Sequence, residues 1–98
     1  MLRLTFDDGV SVWTEQILDI LLEYKRKATF FVIGAHVAGR SATLKRIVAE
    51  GHRVGNHTFS HRRLTDLEPA EVHSEFRACQ AVVELACGVT PTLWRAPM

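Results

Sequence analysis

The chain has 98 residues, 47% hydrophobic and 23% charged, the balance of a folded domain with a modest core and not of a disordered segment. Its net charge is +1 and its lysines and arginines are dispersed, so it carries no electrostatic footprint for nucleic acid or for an anionic membrane. No apolar run approaches the roughly 18 residues of a membrane span and no leader precedes the first strand-like segment, so neither a span nor export is expected of the chain as it stands.

Met1 to Phe6 is apolar and β-branched enough for a first strand, which Asp7-Asp8-Gly9 ends with turn chemistry. From Trp13 onward, Trp13, Ile17, Leu18, Leu21 and Leu22 recur at helical spacing, opposite Glu15, Gln16, Asp19 and Glu23; this predicts a helix buried on one side. Ala28 to Ile33 is a nearly continuous apolar run closed by Gly34, the pattern of a strand covered on both faces. Ser41 is placed to cap a second helix carrying Leu44, Ile47 and Val48, and Gly51 to stop it in the left-handed region. His52 to Asn56 is a third strand. A polar link through Arg62, Arg63 and Asp66 leads to Pro69, in the first turn of a third helix with Val72, Phe76, Cys79 and Val83 inward and Gly88 as terminator. Thr92 to Arg95 reads as a fourth strand.

Cys79 and Cys87 fall in that third helix, about 12 Å apart along its axis. A disulfide needs Cα atoms within about 7 Å, so both are expected as packed thiols. No internal repeat or linker interrupts the pattern, which predicts one domain over residues 1–98. Alternation of strands with helix-length connections predicts an α/β fold with a parallel sheet and right-handed crossovers.

In such a sheet every strand ends on the same edge, and ligands bind there. Asp7 and Asp8 follow the first strand, His57 and His61 the third, and Arg95 and Pro97 the fourth, so residues far apart in sequence converge on one rim. Two imidazoles and one carboxylate form a common ligand set for a hydrolytic divalent metal with positions left open. Adjacent residues of an extended chain point to opposite sides, so Asp7 and Asp8 divide two jobs: one ligates while its neighbour faces water or an orienting cation. His57 and His61, four apart, reach a common ion if the segment turns helically after the strand. Arg95 is a suitable partner for the aspartate that does not ligate, because its fork holds a carboxylate in a fixed orientation.

At these residues the sequence resembles the polysaccharide deacetylases of the NodB-homology type, carbohydrate esterase family four. Thr5-Phe6-Asp7-Asp8-Gly9 matches the first motif, His57-Thr58-Phe59-Ser60-His61 the H-[ST]-x-x-H motif, and Arg95-Ala96-Pro97 the start of R-x-P-x-G; Gln16 to Leu21, Lys27 to Gly34 and Glu50 to His61 are similar as well. The resemblance implies a divalent metal, zinc first and cobalt next, held by Asp8, His57 and His61. It implies Asp7 as general base oriented by Arg95, with activated water attacking an N-acetyl or O-acetyl carbonyl. Pro97 would shape the loop from which the backbone amide of Met98 supports the oxyanion.

The implied substrate is an acetylated glycan, peptidoglycan or chitin oligosaccharide first and acetylated xylan next, and the implied relatives are often secreted or at the cell surface. The implied fold is a distorted TIM-like (β/α) barrel, of which about four strands and three helices would be the N-terminal part. Departures are Val10 where the family carries proline, Met98 where an aromatic residue is usual, and the absence of the fourth and fifth motifs with the histidine that protonates the leaving amine. His36, His52 and His73 match neither late motif and are expected in surface or structural roles. The chain then reads as truncated at its C-terminus, inside the third motif; the other outcome is self-association of two copies through open sheet edges. Rival readings are a non-catalytic metal- or glycan-binding module, a deacylase of small cyclic amides, and a purely structural fragment.

Overall fold

The computed structural model describes residues 3–97. Three parallel strands, β1 (Leu4–Gly9), β2 (Ala28–Val32) and β3 (Arg53–Asn56), lie side by side in that order. Three helices, α1 (Thr14–Glu23), α2 (Ser41–Ala49) and α3 (Pro69–Cys87), occupy the connections and the segment after β3. Short 3-10 turns stand at Gly34–His36 and Leu64–Asp66. The α/β fold with a parallel sheet is the one expected from the sequence. The segment expected as a fourth strand keeps only one parallel bridge, Trp94 opposite Asn56. Two backbone bonds fix it there, from Asn56 N to the Leu93 carbonyl (2.8 Å) and from Arg95 N to the Asn56 carbonyl (2.9 Å).

Strand alternation sorts the sheet into two faces. Phe30, Val32 and Val54 face the helices and join Leu18 and Leu21 of α1, Leu44 and Ile47 of α2, and Cys79 and Val83 of α3 in one buried cluster. Leu18, Leu44 and Ile47 are fully buried, each contributing about 1.5–3 kcal/mol relative to an exposed side chain. On the opposite face Asp7, Phe31 and Gly55 are register partners in one row across all three strands.

Several local expectations are corrected. Trp13 and Leu22 are exposed, because α1 turns its buried stripe through Thr14, Leu18 and Leu21 and presents the expected margins to solvent. Ser41 is the first helical residue and not the cap of α2, whose N-cap is Arg40. Helix α3 begins at Pro69, with Glu68 N–H donating to the Glu71 carboxylate (3.1 Å), and Gly88 ends it in the left-handed region at φ 76°. Gly51 is left-handed too, at φ 86°. Both cysteines are free, and burial pushes the Cys79 thiol up to about 11, which suits a packing role. No helix among the described residues is long and apolar enough to cross a membrane.

Candidate active site

Strand β1 does not run straight into its turn. Its register with β2 slips between Asp7 and Gly9, and Asp8 takes a left-handed backbone at φ 67°. This bulge, more than simple alternation, separates the two aspartates, because an extra residue re-aims the side chain it carries. Asp7 stays in the row with Phe31 and Gly55. Asp8 turns toward the end of β3.

The expected helical turn at His57 to His61 is not formed. Thr58 (φ 71°) and His61 (φ 61°) are both left-handed, and the segment folds back through them instead. Side-chain bonds hold this unusual path: Thr58 N–H donates to Asn56 Oδ1 (3.0 Å), His61 N–H to Thr58 Oγ1 (3.1 Å), and Ser60 N–H to the Glu75 carboxylate of α3 (2.8 Å). The two imidazoles therefore meet without a helix, their ring centroids 4.9 Å apart.

Asp8 Oδ1 lies 3.1 Å from His57 Nε2 and 3.1 Å from His61 Nε2, and the three donor atoms fall within 4.8 Å of one another. Metal bonds of about 2.0–2.1 Å give ligand-to-ligand edges of roughly 2.9–3.4 Å in octahedral or tetrahedral coordination, a range that holds both 3.1 Å edges from Asp8 to the imidazoles. His57 is buried, and its Nδ1 lies 2.7 Å from the Arg95 carbonyl oxygen. A carbonyl only accepts, so Nδ1 carries the proton and Nε2 of the neutral ring keeps its lone pair for a ligand.

Asp7 is placed otherwise. Its Oδ1 accepts from Arg95 Nη1 at 2.8 Å, and the same Nη1 donates to Thr5 Oγ1 at 3.3 Å. Pro97 is buried just beyond Arg95, and Met98, the expected source of an oxyanion amide, lies outside the described residues. His36 is exposed, with Nδ1 3.1 Å from the Asp8 carbonyl oxygen. His52 is buried and accepts the Ala28 N–H at 3.1 Å, and His73 is exposed.

A cleft opens beside the aspartates, lined by Phe6, Ser11, Trp13, Thr14 and Phe30, with Trp13 exposed at its rim.

The family model for polysaccharide deacetylase matches residues 1–98. The chain belongs to the polysaccharide deacetylase family. It is 46% identical over 96 residues to a chitooligosaccharide deacetylase of Bradyrhizobium sp. (strain ANU 289), spanning 96% of this chain and 44% of that protein. Among solved structures it superimposes on the peptidoglycan deacetylase PdaC from Bacillus subtilis with a TM-score of 0.94 at 46% identity, covering 97% of this chain and 48% of that one. A family 4 acetyl xylan esterase from Clostridium thermocellum, solved in complex with a cobalt ion, matches with a TM-score of 0.93 at 37% identity and 47% coverage of its chain. The chain thus spans less than half the length of each of these polysaccharide deacetylase relatives.

The site also depends on residues that the motifs do not single out. Asn56, Phe31 and Gly55 hold the motif residues in place, and of these only Gly55, a glycine inside a strand, carries a sequence signal for close approach.

Proposed function

We propose that this chain carries the metal and base side of a metal-dependent deacetylase centre acting on N-acetylated glycans of the chitooligosaccharide or peptidoglycan class. The observation that carries the reading is the meeting of Asp8, His57 and His61 donor atoms within 4.8 Å, beside a separate Asp7–Arg95 pair. Asp8, His57 and His61 would hold a divalent ion, zinc as first choice. When bound, that ion supplies Lewis-acid polarisation of a carbonyl and of water.

The protein's own groups account for the rest. Arg95 engages Asp7 Oδ1, leaving Oδ2 to take the proton from a water attacking the acetyl carbonyl. Asp8 is withheld from that role by its two histidine neighbours. Trp13 offers an exposed ring face at the cleft rim, the kind of surface on which the apolar face of a sugar ring packs. The names of the relatives, which act on chitooligosaccharide and peptidoglycan, support the substrate class.

Acetate release tests this. The zinc-loaded protein should liberate acetate from chitooligosaccharides or peptidoglycan fragments. Absence of release from both, with zinc bound at one equivalent, would overturn the assignment.

A further inference from the structure

Arg95 is anchored by its backbone to β3 yet bonds with its side chain to Asp7 on β1, so it must cross the intervening strands. The crossing has a defined course. Asp7, Phe31 and Gly55 are direct register partners on β1, β2 and β3, and the Arg95 guanidinium carbon lies 4.2 Å from the centroid of the Phe31 ring. Phe31 is buried although it sits outside the helix-facing core cluster. A Cβ at Gly55 would stand 2.4 Å from Phe31 Cδ1 and 2.6 Å from its Cε1, so only glycine lets the ring lie where it does.

We infer that Phe31, admitted by the missing side chain of Gly55, is a positioning residue that seats the Arg95 guanidinium and through it aims Asp7. The inference rests on the deacetylase reading above. Its physics is that of a cation on a ring face: the quadrupole attracts the planar guanidinium and fixes its plane, while the buried ring denies it other rotamers. Once seated, the fork reaches Asp7 Oδ1 and Thr5 Oγ1 from one Nη1, which pins the β1 end of the row. An aliphatic residue of similar bulk would fill the space without selecting the plane.

A double-mutant cycle on the complete zinc-loaded enzyme tests this, with Phe31→Leu, Phe31→Tyr, Arg95→Ala and the Phe31→Leu/Arg95→Ala pair. Phe31→Leu should lower kcat about tenfold with KM and zinc content unchanged, and Phe31→Tyr should restore kcat to within about twofold. In the Arg95→Ala background Phe31→Leu should cost no more than about twofold further, since its route to the reaction is gone. An equal penalty in both backgrounds, or a Leu variant as active as wild type, would overturn the inference. Lack of acetate release by the wild type would instead sink the deacetylase reading. Gly55→Ala should reproduce the Phe31→Leu loss; if that variant does not fold, the Phe31 cycle decides alone.

Discussion

His57 Nδ1 sits 2.7 Å from the carbonyl oxygen of Arg95, so the backbone of one motif sets the tautomer of a ligand-capable histidine from another. The Arg95 side chain meanwhile bonds to Asp7. One residue thus touches both halves of the proposed centre, with its main chain on the metal side and its guanidinium on the base side.

The two histidines should respond differently to removal. His57→Ala and His61→Ala should each lower zinc affinity at least about 100-fold in equilibrium dialysis, as loss of a direct ligand exceeds the effect of losing its orienting partner. His57 is buried and His61 is partly exposed, so only His57→Ala should also lower the melting temperature of the metal-free protein. Full zinc occupancy in both variants would refute the ligand assignment.

Asp7→Asn should separate chemistry from metal binding. The amide keeps a partner for Arg95 but takes no proton, so kcat should fall about 10²–10⁴-fold while bound zinc stays at wild-type stoichiometry. A variant that retained full activity would remove Asp7 from the base role.

Gly34 is a stability determinant. A Cβ there would meet Phe59 Cδ1 at 2.7 Å and the Cys79 Cα at 3.1 Å, pressing the histidine segment and α3 apart. Gly34→Ala should cost about 1–3 kcal/mol in urea denaturation, the usual range for overpacking. An unchanged midpoint would show that Phe59 swings aside freely.

His52 should make stability depend on pH. Burial holds its pKa below the ordinary histidine value, reinforced by Lys27 and Arg46 and opposed by Glu50. The unfolded chain then binds more protons than the folded one between the two pKa values, so stability falls as pH drops from about 6.5 toward the folded pKa. His52→Gln, whose amide oxygen is an acceptor for the Ala28 N–H, should flatten the difference in urea midpoint between pH 7.5 and 5.5. The same slope in both proteins would assign the effect elsewhere.

The sequence carried the parallel α/β sheet and the edge on which the motifs meet, because apolar runs such as Ala28 to Val32 and terminators such as Gly51 and Gly88 are local signals. It did not carry the path of the backbone at Asp8, Thr58 and His61. None of these is glycine, and around Thr58 and His61 the path is held by side-chain bonds, from Asn56 and Thr58 close in sequence and from Glu75 on α3, which hydrophobic periodicity does not signal. The expected helical turn at His57 failed for that reason: Asn56 and Glu75 compete for the backbone donors a helix would use. The expected fourth strand shrinks to one bridge because Thr92 to Arg95 has strand-like composition but only Trp94 finds a bridging partner among the described residues.

Asn56 is wholly buried, and each of its polar groups is engaged by a different part of the molecule. Its amide nitrogen donates to the Phe76 carbonyl (2.8 Å) and Gln80 Oε1 (3.1 Å) on α3, its Oδ1 takes the Thr58 N–H, and its backbone clasps Leu93 and Arg95. Loosening any one of these frees donors and acceptors that have no water to turn to, so the clasp opens as a whole or not at all. In the language of amide exchange, the histidine segment and the third helix should open together, with the Asn56 side chain as their shared hinge.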